Sequence, residues 1–196
     1  MTRSRTTPAM VTGILFLTAA ASLPPEPTFG EGGARRDVVR HAAALSGAEA
    51  AGPASLTKQA TILDTQGNVV RQGSNGWTCL PDNPTSPGRD PMCMNEAWLT
   101  FKNALKNRTT PTNTQVGIAY MLQGDSPMSN TDPFATAPKP GDEWIEAQGA
   151  HIMVHVPDQV ALKNISTDWK NGGPWVMWAG TPYAHLMIPI DGTPSH

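Results

Sequence analysis

The spacing of apolar residues predicts one amphipathic helix in this chain. From 94 to 107 the apolar side chains recur every three or four positions, so they fall on one face of a helix while the polar side chains fall elsewhere. The apolar face comprises Met94, Ala97, Trp98, Phe101 and Leu105. Pro111 follows beyond the expected end of this helix.

Elsewhere the pattern predicts short strands separated by turns. Residues 60–64 and 68–72 are rich in β-branched side chains and flank Gly67, which suits the positive φ of a hairpin turn. Further strands are predicted at 115–123, 151–156, 175–178 and 184–190. About five or six strands with one main helix, in no strand–helix alternation, predict an α+β fold with a mostly antiparallel sheet.

Long ordered loops are predicted between these elements. Residues 73–92 and 124–141 are dense in Pro, Gly, Asn, Asp and Ser. A helical turn is predicted around Trp144, within 141–148, and Asp158 can cap a short helix that ends near residue 163. The chain contains 18 Gly and 19 Pro among 196 residues, so turns and loops should form much of it.

The first 21 residues have the pattern of a secretory signal peptide. Arg3 and Arg5 precede an apolar run from Met10 to Ala21, which ends in small residues. The run has about a dozen residues, fewer than the ~20 that a spanning helix needs. We therefore predict an exported protein, periplasmic or secreted, with no integral membrane segment after cleavage. An uncleaved anchor is the alternative.

The remaining chain divides into a tether, one domain and a tail. Residues 22–57 are rich in Pro, Ala and Gly with few large apolar side chains, which predicts a disordered tether. Residues 58–190 are predicted to form a single small domain, and residues 191–196 a tail. Only 15% of the residues are charged and the net charge is −2, so no nucleic-acid partner is expected. The oligomeric state does not follow from the sequence.

The two cysteines are predicted to form a disulfide. Cys79 and Cys93 bracket a proline-rich loop, and an isolated pair in an exported domain is usually bonded. A redox or metal pair, which is the alternative, would favour the C-x-x-C spacing. Closing a loop of about 15 residues contributes about 3 kcal/mol in the chain-entropy account of disulfides.

Histidines and methionines alternate on two of the predicted strands. His151, Met153 and His155 share one face of the first strand, and His185 and Met187 share one face of the second. If the strands pair with matching faces, three imidazoles and two thioethers gather on one surface. Copper accepts these ligands, so a copper site is one hypothesis. Ordinary packing of a half-buried face is the alternative.

Several tryptophans lie beside Gly, Pro, Asn or Asp rather than inside apolar runs. Indole rings in polar loops can stack on a ligand, with Asn and Asp supplying hydrogen bonds. The candidate ligand-binding residues are Trp77, Trp144, Trp175, Trp178, Asn130 and Asp132. The alternative is that the indoles fill a thin core beneath the loops.

Clustered carboxylates offer a third hypothesis. Asp142, Glu143 and Glu146 surround Trp144, and Asp132 lies in the preceding loop. Paired carboxylates can act as acid and base, so a hydrolase with a carboxylate site is possible, although a solvated loop is the simpler interpretation. The sequence contains no G-x-S-x-G, H-E-x-x-H or P-loop motif.

Three sequence blocks resemble a family of exported bacterial proteins whose activity is uncharacterised. They are NGWTCLP at 75–81, the segment from GDSP to SNTDP at 124–133, and the segment from NGGPW to GTPYAH at 171–185. The resemblance covers roughly 61–189 and implies export and one compact domain, with no activity to carry over. Low charge, loop-borne tryptophans and missing catalytic motifs predict an extracytoplasmic, non-catalytic domain that binds a small polar or aromatic ligand.

Overall fold

The computed structural model of the chain describes residues 31–190. The predicted signal peptide, the start of the predicted tether and the predicted tail lie outside these residues. The helices are α1 (Glu31–Glu49), α2 (Ala54–Thr57), α3 (Glu96–Asn107) and a 3-10 helix (Gln159–Leu162). The strands are β1 (Thr61–Leu63), β2 (Val69–Arg71), β3 (Trp77–Leu80), β4 (Met92–Asn95), β5 (Gly117–Met121), β6 (Met128–Ser129), β7 (Trp144–Ile145), β8 (His151–His155), β9 (Trp175–Met177) and β10 (His185–Pro189).

Eight of these strands form one mixed sheet. Its order is β2-β1-β3-β4-β5-β8-β10-β9, and β6 and β7 pair separately. Neighbouring strands run antiparallel except β1 and β3, which are parallel. The prediction of a single small α+β domain with a mostly antiparallel sheet is confirmed.

The first hairpin forms where the β-branched runs predict it. Strands β1 and β2 pair antiparallel with Leu63 opposite Val69. Gly67 has φ of 88°, a conformation that side chains with a Cβ rarely adopt. The Asp64 carboxylate accepts hydrogen bonds from the backbone N–H of Gln66 and Asn68, which holds the turn in place.

Helix α3 covers one face of the sheet. It begins after Asn95, whose side chain accepts a hydrogen bond from the backbone N–H of Trp98, and it ends at Arg108 in the left-handed conformation. Its apolar face packs against the sheet through Trp98 and Phe101, both nearly fully buried. Gly117 of β5 permits this close packing, because a Cβ there would lie 3.1 Å from the Trp98 backbone. The predicted helix is confirmed, although Met94 belongs to β4.

The structure corrects the predicted disorder of residues 31–57. Helix α1 occupies the first part of this segment, and its end packs on the other face of the sheet through Ala48; Ala51, just after the helix, packs there too, and both are 0% exposed. Glu49 also forms an ion pair with Arg71 of β2. The fully buried side chains of this contact are small, and Leu45 adds one partly buried large side chain, so the segment lacks the recurring large apolar residues by which sequence patterns reveal a packed helix.

Two further predictions of local structure differ from what forms. Strand β3 and the start of β4 lie within the predicted loop 73–92, and β7 replaces the predicted helical turn around Trp144. These strands are two to four residues long, too short to show a period. The short helix capped by Asp158 is confirmed, since its carboxylate accepts from the Val160 N–H.

No helix within residues 31–190 is both long and apolar enough to cross a membrane. The apolar run of the predicted signal peptide precedes the described residues. Within the described residues, α3 covers one face of the sheet and α1 covers part of the other face.

The predicted disulfide between Cys79 and Cys93 is confirmed. The two residues lie directly opposite each other on β3 and β4, and both are 0% exposed. The bond joins neighbouring strands at the base of the loop that connects them. That loop contributes Pro81 and Asp82 to an open groove that α1 and the first hairpin also line.

Replacing both cysteines with Ala is expected to lower the free energy of unfolding by about 2–4 kcal/mol, because the unfolded chain gains the freedom that the bond removes. Denaturant unfolding of the oxidised wild type and the double variant measures this difference. Wild type treated with a reductant should unfold like the double variant. Equal stability of the oxidised and reduced wild type would contradict the expectation.

Candidate functional site

The predicted histidines and methionines do share one buried face of the sheet. Strands β8 and β10 are antiparallel neighbours, with Met187 opposite Met153 and Pro189 opposite His151. Leu186 lies opposite Val154, so the same register sets the next two residues, His185 and His155, beside each other. Each of the five predicted side chains is at most 5% exposed. His151 lies four residues from His155 along β8, about 13 Å away at the usual rise per residue.

His185 is enclosed by aromatic rings. The ring centroids of Trp178, Trp98 and Phe101 lie 4.9, 5.4 and 5.8 Å from that of His185. Its Nδ1 is 3.0 Å from the carbonyl oxygen of Tyr183, and its Nε2 is buried with no hydrogen-bond partner in the described structure. Burial lowers the pKa of His185 to about 4, so the imidazole is neutral at pH 7.

His155 has a different hydrogen-bonding state. Its Nδ1 lies 3.1 Å from the side-chain nitrogen of Asn113, which can only donate, so Nδ1 accepts and Nε2 carries the hydrogen. The Phe101 ring packs 4.5 Å from the His155 ring. Burial lowers the pKa of His155 as well. The two neighbouring imidazoles therefore differ in which nitrogen bears the lone pair.

The structure adds a methionine that the sequence hypothesis did not include. Met177 of β9 lies directly opposite His185 and is 0% exposed. The alternation of Trp175, Val176 and Met177 was a usable signal for it, as on the other two strands. Within residues 31–190 no three His, Cys, Asp or Glu side chains come together as a metal site. Copper binding therefore stays a prediction, and it depends on thioether ligands.

Two of the candidate tryptophans belong to the core. Trp175 and Trp178 are 2% and 9% exposed, and their indole N–H groups donate to the Asn130 side chain and the Ser129 carbonyl. The Asn130 side chain is itself buried and donates to Glu143 and to the Thr167 carbonyl. Because indoles bury large areas, these residues fill the core, which corrects the expectation that they line an open surface.

The other candidate ligand-binding residues are half-buried and lie apart. Trp77 packs against Tyr120 at 5.6 Å, on the sheet face opposite α3. Trp144 lies in β7, beside Ser129 of β6. Asp132 accepts from the Phe134 N–H and pairs with Lys139 at 3.9 Å. The six predicted residues therefore do not form one ligand surface.

The clustered carboxylates hold loops together. Asp142 accepts hydrogen bonds from the hydroxyls of Ser129 and Thr131, which lower the pKa of its carboxyl. Glu143 accepts from the Asn130 amide, and Glu146 is exposed. A lowered pKa makes Asp142 a poor general acid. These contacts favour the structural interpretation of the acidic segment.

A second buried polar cluster was not predicted. The Asp125 carboxylate lies 4.0 Å from Nε2 of His151, and an isolated bridge sets Asp125 opposite Gln148. Burial raises the pKa of Asp125 to about 7, while burial lowers that of the nearby Lys102. The side-chain amide of Gln148 is buried without a hydrogen-bond partner in the described structure. Asp125 belongs to a Gly-Asp-Ser-Pro segment. Such a sequence indicates an exposed loop, so it gave no sign that the Asp125 side chain is only 9% exposed.

An open groove lies between α1, the first hairpin and the loop after β3. Its volume is about 650 Å³. Residues 43, 44, 70, 81 and 84 supply apolar atoms, and the polar residues at its edge are Arg40, His41, Asp64, Thr65, Gln66 and Asp82. Sequence analysis missed this groove, because it depends on α1 being folded.

Comparison of the chain with protein-family models, curated proteins and solved structures found no match. The resemblance to a family of exported bacterial proteins stays a prediction.

Proposed function

We propose that this protein is an extracytoplasmic, non-catalytic domain that binds a small polar or aromatic molecule in the groove beside α1. The observation that carries the proposal is the groove itself, whose volume of about 650 Å³ is typical of small-molecule sites. Export follows from the signal-peptide pattern, and the disulfide is compatible with an oxidising compartment.

The composition of the groove favours a ligand with a flat apolar body and polar ends. Ala43 and Ala44 of α1 line the groove together with Val70 and Pro81, and all four supply small apolar surfaces. Charged groups of both signs lie at the edge, so orientation can be selected by hydrogen bonds. Small side chains leave room for a ring, whereas Trp175 and Trp178 occupy the core.

Two edge carboxylates are held in position by backbone groups. Asp64 accepts from two backbone N–H groups of its turn, and Asp82 accepts from the Asp90 N–H at 2.7 Å. Acceptors fixed in this way lose little freedom when a ligand binds. The side-chain amide of Asn68 also donates to Asp64, and this bond, together with the backbone ones, lowers the pKa of the Asp64 carboxyl, which favours the anion.

Contacts around the groove also hold α1 against the sheet. Arg71 pairs with Glu49 at the end of α1 and donates to the carbonyl oxygens of Thr57 and Ala60. A Cβ on Gly47 would lie 3.4 Å from that of Pro81, so the helix approaches this loop closely. The groove walls are thus fixed before a ligand arrives.

Replacing Ala44 with Trp should fill the groove and weaken ligand binding at least tenfold. The test is ligand-observed NMR with a panel of aromatic amino acids, nucleosides and monosaccharides, followed by titration of each hit. The matched control is Ala161→Trp, the same substitution at an exposed residue outside the groove. Thermal unfolding checks that both variants remain folded.

The expected result is saturable binding by wild type and Ala161→Trp, and weakened binding by Ala44→Trp. A panel with no saturable hit would overturn the proposal. So would a hit that binds equally well to Ala44→Trp, because its site would then lie elsewhere.

A further inference from the structure

We propose that this protein binds one Cu(I) ion within the core, held by the Nε2 atom of His185 and the thioethers of Met177 and Met187. This site is separate from the groove and does not depend on it. It also differs from the set predicted from sequence, since it includes Met177 and leaves out His151, Met153 and His155.

The hydrogen bonding of His185 prepares one nitrogen for a metal. A carbonyl oxygen can only accept, so Nδ1 of His185 must carry the hydrogen that bonds to Tyr183 at 3.0 Å. The lone pair then lies on Nε2, which is buried and has no hydrogen-bond partner in the described structure. Metal-ligating histidines are oriented in this way, through a hydrogen bond from the other nitrogen to a carbonyl or carboxylate.

The neighbouring strands supply soft ligands on the same face. Met177 lies directly opposite His185, and Met187 lies two residues further along β10, on the same side. Opposite residues on antiparallel strands have Cβ atoms about 5 Å apart, and diagonal residues about 7–8 Å. Long, flexible methionine side chains can close such distances. Both thioethers are 0% exposed.

The ligands and their surroundings favour Cu(I) over zinc. Thioether ligands favour Cu(I), and imidazole is also a good copper ligand. Zinc sites are instead built from Cys, His and carboxylates, and rarely from Met. Trp98, Phe101 and Trp178 surround the imidazole, so water is kept from the site.

His155 and His151 are unsuited to this site for separate reasons. The lone pair of His155 accepts the hydrogen bond of Asn113, so its Nε2 carries a hydrogen. His151 lies toward the other end of β8, where its Nε2 is 4.0 Å from the Asp125 carboxylate. The geometry therefore gives one nitrogen and two sulfur ligands.

The test is anaerobic titration of the whole protein with Cu(I) in competition with the chelator bathocuproine disulfonate. Wild type should take up one Cu(I) per chain, and tryptophan emission should fall, because Trp178 lies 4.9 Å from His185. Met177→Leu and His185→Asn should each weaken binding at least tenfold. Met177→Leu nearly conserves volume, so the fold should persist if His185→Asn unfolds the protein.

One variant serves as the matched control. Met92→Leu makes the same change on β4, three strands away from β10 in the sheet, about 14 Å at the usual strand spacing. It should bind Cu(I) as wild type does. No uptake against the chelator would overturn the proposal, and so would equal affinity in Met177→Leu and wild type.

Discussion

Replacing Asp125 with Asn is expected to raise the free energy of unfolding at pH 8 by about 2–4 kcal/mol. Burial raises the pKa of the Asp125 carboxyl to about 7, compared with about 4 in an unfolded chain. Between these values the folded state holds a proton that the unfolded state has released. Stability therefore falls as pH rises through this range, and the loss is complete above pH 7.

The Asn variant avoids this loss because its side chain cannot ionise. Its oxygen can still accept the Ser126 backbone N–H, which now donates to Asp125 at 2.7 Å. The stability difference between variant and wild type should be small near pH 4 and should grow toward pH 7. Denaturant unfolding at each pH unit from 4 to 8 measures it. A variant less stable than wild type at pH 8 would contradict the expectation.

The titration of His185 adds a second expected feature to the dependence of the free energy of unfolding on pH. Its pKa is lowered to about 4 by burial, against about 6.5 when unfolded, so its contribution to stability is lost as pH falls from about 6.5 to 4. The contributions of Asp125 and His185 therefore oppose each other in this range. Removing the carboxyl should leave a free energy of unfolding that rises with pH between 4 and 6.5.

Asp142→Asn is the control of opposite sign. Hydrogen bonds from Ser129 and Thr131 lower the pKa of this carboxyl, so its stabilising effect is present at neutral pH and is lost in acid. The variant should be less stable than wild type at pH 7, and the difference should shrink as pH falls. A uniform difference at all pH values would indicate a packing effect instead.

Replacing Phe101 with Ala is expected to lower the free energy of unfolding by about 3–5 kcal/mol. The ring is 1% exposed and contacts the rings of Trp98 and His155 at centroid distances of 4.8 and 4.5 Å. Truncation removes these contacts and leaves a cavity between α3 and the sheet. Denaturant unfolding measures the loss.

The same substitution has a second readout in the histidines. Phe101 covers both His155 and His185, and burial lowers the pKa of each. Admitting water should move both pKa values toward the usual range, which NMR titration of the imidazole C–H signals detects. Val160→Ala, at a residue 62% exposed, should change stability by less than about 0.5 kcal/mol. A loss below about 1 kcal/mol for Phe101→Ala would contradict the expected core role.

The strand faces of the His/Met cluster could be predicted because the period of a strand is two. Alternation on 151–155 and 185–189 was enough to set His151 with His155 on one face of the first strand and His185 with Met187 on one face of the second. Which histidines meet depends on register, and the structure sets His185 beside His155 and opposite Met177. A different register would have preserved the alternation while changing every neighbour.

The packing of helix α1 and the groove beside it, by contrast, could not be predicted from the sequence. The fully buried residues at and just after the end of α1 are Ala48 and Ala51, and alanines carry no pattern that separates a packed helix from a flexible segment. Only the sheet surface formed by Ile62 and the disulfide gives them something to pack against. The groove also depends on the packing of α1 against the sheet, because α1 forms one of its walls.

By itself the sequence determined the fold class, the main helix, the first hairpin, the pairing of Cys79 with Cys93, and the sides on which strand residues face. These features arise from local spacing or from having a single possible partner. The tertiary structure alone decided that Trp175 and Trp178 are core, that the Asp125 side chain is only 9% exposed, and that His185 meets Met177. Burial and register are properties of contacts between segments distant in the chain, and no local pattern contains them.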